Sequence, residues 1–206
     1  LITRLFADPD TAPDAAGLAE ALRPELQKYF RPAFLGRVTL VPYFPLSDAI
    51  IRQIVDLQLL DEEWWFRQLY PAAIDAIPHH CSALALDVPG GGVLVAQNFD
   101  GASWMEGLQR VFHHRDPVQG FDALIFSLPG MLALNGVNRQ GLAVCVNSLV
   151  QLDGNPSGLP VVGVIRRLLE SPGHLAAVAA LRSIRHASGQ NYTVGDRYTF
   201  GAYEAS

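Results

Sequence analysis

Cys81 is the residue whose type and position in this chain most directly indicate chemistry, and it is one of only two cysteines. A thiol attacks a carbonyl carbon as its thiolate, so a nearby base has to take its proton. The α-amine of the same residue, with an ordinary pKa near ~8, can serve as that base once Cys81 is the first residue of a mature chain. We therefore predict cleavage between His80 and Cys81, with Cys81 as the nucleophile.

A predicted β-hairpin connects Cys81 to a carboxylate. Residues 82–88 form a short apolar run, residues 89–92 read Pro-Gly-Gly-Gly, and residues 93–99 form a second apolar run. This pattern predicts two strands joined by a tight turn. The glycine run lacks the Lys-Ser/Thr ending of a phosphate-binding loop. Because a hairpin returns its end to its start, Cys81 and Asp100 can be neighbours, although Asp-Gly is also a common turn sequence.

The chain before residue 80 differs in character from the chain after it. Leu46, Ile50, Ile54 and Leu57 recur at helical spacing, which predicts an amphipathic helix. Residues 31–45 hold three prolines and are predicted to form an extended connection. A second apolar pattern, interrupted by a proline, includes Trp64, Trp65, Leu69 and Ile74.

The chain after the hairpin is predicted to contain strands, then two helices, then strands. This order favours an α+β domain over an alternating parallel sheet. Cys145 lies in the middle of a predicted strand, which indicates a core residue. The further predicted strands are 122–128, 141–149, 191–194 and 198–203, and the predicted helices are 159–170 and 175–186.

Composition excludes several classes of function. The net charge is −5 and the pI is near 5.6, without a concentrated basic face, so nucleic acid is not an expected partner. No run approaches the ~18 apolar residues of a membrane span. No signal peptide is visible, which slightly favours the cytoplasm. The adjacent pairs His79-His80 and His113-His114 lack the companions of a zinc site, so no metal is expected.

Three short motifs, in order, resemble the acyl-CoA:6-aminopenicillanic-acid acyltransferase family, a branch of the N-terminal-nucleophile (Ntn) hydrolases. The first begins Cys-Ser-Ala at Cys81 and ends Gln-Asn-Phe-Asp at Asp100. The second is Gly-Val-Asn-Arg-Gln-Gly-Leu-Ala-Val at residues 136–144, followed by Asn-Ser-Leu at 147–149. The third is Gly-Leu-Pro at 158–160, which leads into a predicted helix.

The resemblance implies a fold and a set of site residues. The fold would be a four-layer αββα sandwich, with residues 1–80 as a helical pro-segment and 81–206 as the first portion of the Ntn domain. Asp100 would orient the α-amine of Cys81, and Asn147 and Ser148 would offer a backbone N–H to the oxyanion. The family's side-chain oxyanion Asn and catalytic Arg would follow residue 206, so we expect an incomplete chain.

The implied activity is hydrolysis or transfer of an acyl group from a small acylated amide or thioester, without a metal or organic cofactor. The cleaved N-terminal segment is expected to stay associated. Three alternatives remain open: a lipid amide hydrolase of the acid-ceramidase and N-acylethanolamine type, an uncleaved ligand-binding homologue, and a Cys–His enzyme. The last would need His113, His174 or His186 as its base.

Overall fold

The structure, a computed structural model, describes residues 13–37, 47–59, 81–101 and 103–206. The chain divides into two compact units, Leu1–Arg52 and Gln53–Ser206. The helices are α1 (Ala15–Gln27), α2 (Pro32–Leu35), α3 (Asp48–Gln58), α4 (Val161–Leu168) and α5 (His174–Ser183). The strands are β1 (Ser82–Asp87), β2 (Val93–Asn98), β3 (Arg110–Asp116), β4 (Phe121–Ser127), β5 (Asn135–Asn138), β6 (Ala143–Ser148), β7 (Gln190–Gly195) and β8 (Phe200–Ala205).

The first helices have recognisable start signals. The Asp14 carboxylate caps α1 by accepting a hydrogen bond of 2.8 Å from the Gly17 N–H. Pro32 occupies the first turn of α2, where its missing N–H costs nothing. The prediction of an extended connection from residue 31 is therefore wrong at Pro32–Leu35, while residues 38–46 lie outside the described ranges. Helix α3 confirms the predicted helical spacing of Ile50, Ile54 and Leu57.

Strands β3 to β8 form one antiparallel sheet in which every strand pairs with its neighbour in sequence. Helices α4 and α5 are inserted between β6 and β7. The described part of the domain is thus an α+β arrangement, as the order of predicted elements indicated. Strands β3 and β5 were not among the predicted strands.

One face of this sheet, hereafter the helix face, packs against α4 and α5. It carries Ile125, Val144 and Tyr192, each almost inaccessible to solvent. Helix α4 has a strongly amphipathic sequence and directs its apolar side chains to the same core. The buried residues of α4 are Val161, Val162, Val164, Ile165 and Leu168. Burial of apolar area between these layers stabilises the domain.

The opposite face, hereafter the hairpin face, is partly covered by β1 and β2, which contact β6 and β7. A Cβ atom added to Gly195 would lie 2.7 Å from a methyl group of Val95, so the two sheets approach closely there. Further along, the Phe99 and Phe126 rings meet edge to face at 5.7 Å. The β1–β2 turn is as predicted, with Gly91 and its two neighbours at positive φ.

The described part of the second unit therefore has three layers: helices, the six-stranded sheet and the hairpin. The outer side of the hairpin carries leucines that remain about half exposed in the structure, among them Leu84 and Leu94. Across the described ranges, none of the helices is both long and apolar enough to traverse a bilayer.

Candidate active site at the open end of the hairpin

Cys81 and Asp100 lie at the same end of the β1–β2 hairpin. At the open end of the hairpin, Ser82 pairs with Asn98. Cys81 is the residue before Ser82, and Asp100 comes two residues after Asn98. The side-chain amide of Asn98 donates a hydrogen bond of 3.0 Å to a carboxylate oxygen of Asp100. Cys81 is half-buried and Asp100 is exposed. The structure thus confirms the predicted hairpin and brings the two residue positions together.

Asn147 and Ser148 end β6, and this end lies beside the same end of the hairpin. Gln97 of β2 donates from its Nε2 to the main-chain oxygen of Val146 at 2.5 Å. Nearer the turn of the hairpin, Val95 of β2 approaches Gly195 of β7. Gly195 pairs with Ala143, the first residue of β6. These two contacts align β2 with β6, so the end of β6 lies on the side of the hairpin end that carries Cys81 and Asp100. We refer to Cys81, Asp100, Asn147 and Ser148 as the hairpin-end site.

Successive side chains of a strand point to opposite faces, which separates the two residues at the end of β6. Asn147 shares the hairpin face with Cys145, whereas Ser148 shares the helix face with Val146. The Asn147 Oδ1 atom is buried and has no hydrogen-bond partner among the described residues. The side chain of Ser148 therefore points away from the hairpin.

Gln97 and Asn135 also belong to this region, and neither was predicted from the sequence as a site residue. The Gln97 Oε1 atom accepts a hydrogen bond of 3.2 Å from the side-chain amide of Asn135 on β5. Gln97 therefore joins the hairpin to two strands of the larger sheet through one amide group. The sequence does contain an indication of this role. Side chains of a strand alternate between its two faces, so Gln97 is predicted to lie on the same face as Val93 and Val95, where a polar side chain is unusual.

Cys145 is buried between the sheet and the hairpin, and desolvation raises the pKa of its thiol to about 11. A thiol with that pKa is almost entirely protonated near neutral pH, which makes it a poor nucleophile. The prediction of a core role for Cys145 is confirmed by its burial. Both cysteines fall within the described ranges, and neither is part of a disulfide.

The histidines proposed for a Cys–His alternative do not lie beside Cys81. The His174 ring bonds the Tyr203 hydroxyl, and the His186 ring bonds the Leu181 carbonyl, both on the side of the helix face. Burial lowers the pKa of His186, which favours its neutral form. His113 lies on the edge strand β3, where its ring pairs with Asp122 at 2.8 Å and lowers the pKa of that carboxyl group.

Two cavities of about 300 and 330 Å³ lie along β3 and β4 rather than at the hairpin-end site. Arg166 lines the first, and its guanidinium group stacks on Phe121 at 3.5 Å from the ring centre. Arg139 lines the second. Within the described ranges, no cluster of three or more His, Cys, Asp and Glu side chains has a metal-binding arrangement. His80, the residue before the predicted cleavage point, lies outside those ranges.

Two curated proteins each resemble 59 residues of the chain. The chaperone protein ClpB of Yersinia enterocolitica is 58% identical over this length, and the AAA+ ATPase ClpV1 of Pseudomonas aeruginosa is 46% identical. Each match covers 29% of this chain. The chain spans only 7% and 6% of the two relatives, respectively.

A family match covers a larger share of the chain and includes most of the hairpin-end site. The family of acyl-coenzyme A:6-aminopenicillanic acid acyl-transferase matches residues 88–203, which contain Asp100, Asn147 and Ser148. Cys81 lies just before the matched range, so its place in the site comes from the hairpin register. Since the match takes in more than half of the 206 residues, the chain belongs to the acyl-coenzyme A:6-aminopenicillanic acid acyl-transferase family.

Proposed function

We propose that this protein is an Ntn-type cysteine amidohydrolase or acyltransferase that is activated by cleavage between His80 and Cys81. The observation that carries the proposal is the register of β1 and β2, which brings Cys81 and Asp100 to one end of a hairpin. The family match supports an acyl-transfer chemistry for this domain. The substrate would be a small molecule with an amide or thioester carbonyl.

The activating step is an attack of the Cys81 thiol on the carbonyl carbon of His80. The peptide C–N bond breaks and a C–S bond forms, so the acyl group moves from nitrogen to sulfur as a thioester. The nitrogen of Cys81 takes a proton and becomes a free amine. Water then hydrolyses the thioester, which leaves a carboxylate on His80 and a free thiol on Cys81.

In turnover, the α-amine of Cys81 accepts the proton of its own thiol as the sulfur attacks the substrate carbonyl. The amine returns the proton to the leaving amine or thiol, and the acyl group remains on sulfur. Water as acceptor completes hydrolysis, and an amine as acceptor completes acyl transfer. The Asp100 carboxylate would hold the ammonium form of Cys81 in place.

The oxyanion formed during attack requires fixed hydrogen-bond donors. Main-chain N–H groups at Asn147 and Ser148 are our candidates, because β6 ends beside the hairpin end. In general, one such donor contributes about 2.7–4 kcal/mol to transition-state stabilisation. The residues of the hairpin-end site would thus supply the thiol, the amine, the carboxylate and these dipoles.

We further propose that the three described layers belong to an αββα sandwich. A second helical layer over the hairpin would cover the half-exposed Leu84 and Leu94. In this arrangement residues 1–80 are the pro-segment, and residues 81–206 belong to the Ntn domain. This boundary is a prediction from the cleavage chemistry.

The likeness to ClpB and ClpV1 does not lead us to propose an ATP-dependent activity. The Walker A loop requires Gly-Lys-Ser/Thr, because its lysine contacts the β- and γ-phosphates. The sequence has one lysine, Lys28, which lies between Gln27 and Tyr29. Each of the two matches is also short, at 59 residues.

Intact-mass spectrometry of the purified protein tests the proposal. We expect two fragments that separate before Cys81 in the wild type and one uncleaved species in Cys81→Ala. Cys145→Ala is the matched control, because it removes the other thiol and should leave cleavage intact. Asp100→Asn should slow the later turnover of an acylated amine.

The other outcomes distinguish the alternatives. A wild type that stays uncleaved and binds small acylated ligands without reaction would indicate a ligand-binding homologue. An uncleaved wild type that hydrolyses amides would indicate a different cysteine mechanism. A cleaved enzyme that prefers N-acylethanolamines or ceramides to β-lactam and short acyl amides would indicate the lipid amide branch.

A further inference from the structure

Gln97 makes two hydrogen bonds that hold the end of the hairpin against the larger sheet. Its Nε2 donates to the Val146 main-chain oxygen at 2.5 Å, and its Oε1 accepts from the Asn135 side chain at 3.2 Å. Gln97 is half-buried, as is Asn135. The amide thus uses both its donor and its acceptor side across the space between two sheets.

Gln97 differs from the other inward-facing residues of β2 in the kind of contact that it makes with the larger sheet. Val93 and Val95, which precede Gln97 on the inward side of β2, approach Gly195 through methyl groups. Apolar contacts tolerate small shifts in distance and direction, whereas hydrogen bonds weaken steeply with misalignment. Among the described contacts, Gln97 is therefore the only inward side chain of β2 that forms hydrogen bonds with the larger sheet. It is also the inward side chain nearest the open end of the hairpin.

Both groups that Gln97 connects are adjacent to the hairpin-end site. Along β2, Gln97 is followed by Asn98 and then leads to Asp100. Along β6, Val146 is followed by Asn147. A change in the Gln97–Val146 contact therefore changes the separation between the carboxylate that orients the amine and the strand end that faces the oxyanion.

We propose that Gln97 is a positioning residue, which sets the distance between the Cys81–Asp100 end of the hairpin and the oxyanion-binding end of β6. This inference rests on the proposed function, because the distance matters only if both sides act on one carbonyl group. The two described hydrogen bonds of the Gln97 side chain go to Val146 and Asn135, which is why we assign it a positioning role. A displacement of about 1 Å between such groups can lower a reaction rate by as much as ~100-fold.

Gln97→Met and Gln97→Glu separate positioning from mere stabilisation. Methionine keeps the length of the side chain and loses both hydrogen bonds. A glutamate carboxylate still accepts from Asn135 and no longer donates to the Val146 oxygen, whereas the protonated acid can donate again. Since burial favours the neutral acid, this recovery should occur at a higher pH than for a solvated glutamate.

The readout is the rate of cleavage before Cys81, followed by intact mass over a pH series, for freshly purified full-length protein. We expect Gln97→Met to cleave at least ~10-fold more slowly than the wild type at every pH. For Gln97→Glu we expect the same deficit at pH 8 and a rate that approaches the wild-type rate at pH 5. A role in stability alone would not produce this pH-dependent recovery.

Ser127→Ala is the matched control. The Ser127 hydroxyl also donates to a main-chain oxygen, that of Met131, and is fully buried on the helix face of the same sheet. Its loss should lower the urea midpoint of unfolding as much as Gln97→Met does and leave the cleavage rate unchanged. If Gln97→Met does not fold, Asn135→Ala takes its place, since it removes one of the two bonds and keeps Gln97.

The outcomes separate this inference from the proposed function. If the wild type cleaves before Cys81 and the Gln97 variants cleave equally fast, the positioning role is overturned and the proposed function stands. Equal slowing of Gln97→Met and Ser127→Ala would also overturn it, because both would then act through stability. If the wild type never cleaves, the proposed function fails and this inference fails with it.

Discussion

The two cysteines of the chain differ in surroundings, and the difference decides which of them can act as a nucleophile. Cys145 lies between the sheet and the hairpin with 8% of its surface exposed, and burial raises the pKa of its thiol to about 11. Cys81 is half-buried at the open end of the hairpin. Reactive cysteines are accessible thiolates, so only Cys81 has the access that the proposed chemistry requires.

This contrast predicts a difference in alkylation. At pH 8 the thiolate fraction of a thiol with a pKa of about 11 is roughly one thousandth. We expect iodoacetamide to modify Cys145 at least ~100-fold more slowly in the folded protein than in 8 M urea, as followed by peptide mass spectrometry. Modification of Cys145 in the folded protein at the rate measured in urea would contradict its buried placement.

The same pKa shift has a consequence for stability. The pKa of Cys145 in the folded protein lies above the ordinary thiol value of 9.0, so the unfolded chain loses the proton first as the pH rises. The stabilising contribution of the protonated Cys145 thiol to the free energy of unfolding is therefore complete below pH 9. It is lost between about pH 9 and pH 11. Urea denaturation over this pH range measures the loss. Cys145→Ser is the control, because its hydroxyl does not titrate in this range.

At the residue scale, the sequence was sufficient to place Cys81 and Asp100 at the same end of a hairpin. This placement follows from two apolar runs and a glycine turn, which are local features of the chain. Gln97 and Asn135 could not be paired in the same way, because they are 38 positions apart and meet only when two sheets pack together. Contacts of this kind depend on layer packing, which a single sequence does not display.

At the scale of elements, the close approach of the hairpin to the sheet depends on Gly195. A Cβ atom there would lie 2.7 Å from one methyl group of Val95 and 3.2 Å from one of Val93. Those distances are shorter than ordinary van der Waals contacts, so the valine side chains or the hairpin would have to shift. Gly195 therefore permits the spacing that the valines and Gln97 maintain.

We predict that Gly195→Ala destabilises the protein by about 1–3 kcal/mol through overpacking. Urea denaturation measures the free energy of unfolding. Gly36→Ala is the matched control, because the nearest atom to its added Cβ would be 3.6 Å away, an ordinary contact, and its φ is −74°. An equal effect of both substitutions would mean that loss of glycine itself, and not the contact with Val95, causes the destabilisation.

The elements themselves were predictable where the apolar pattern was strong. Helix α4 and strand β6 have buried apolar side chains at the expected period, and both were predicted close to their observed bounds. Strand β3 was missed because it is an edge strand with six of its seven residues exposed, so it lacks an apolar pattern. Strand β5 is only four residues long and carries two asparagines and a glycine.

At the scale of the whole molecule, the family match and the division into compact units describe different aspects of the chain. The family match covers residues 88–203, whereas the second compact unit is Gln53–Ser206 and includes the end of α3. That end precedes the proposed cleavage point. Residues at the end of α3 contact the loop after β4, and these contacts would join the two products of cleavage.

The contacts are specific. Gln58 donates from its Nε2 to the Gly130 carbonyl at 2.6 Å, and its Oε1 accepts from the Leu132 N–H at 2.8 Å. Leu57 packs against the hydrophobic core of the second unit. One side-chain amide thus satisfies both a donor and an acceptor of an exposed loop, in the manner of a strand partner.

We therefore predict that the N-terminal product stays bound to the C-terminal product after cleavage, through Leu57 and Gln58. The two fragments should elute together in size-exclusion chromatography under native conditions, and Leu57→Ala with Gln58→Ala should shift them towards separate peaks. Arg52→Ala, on the same helix and exposed, is the control and should leave co-elution unchanged. Separate elution of the wild-type fragments would show that these contacts do not hold the products together. Non-covalent association depends on concentration, so a dilution series would measure how tightly the two fragments are held.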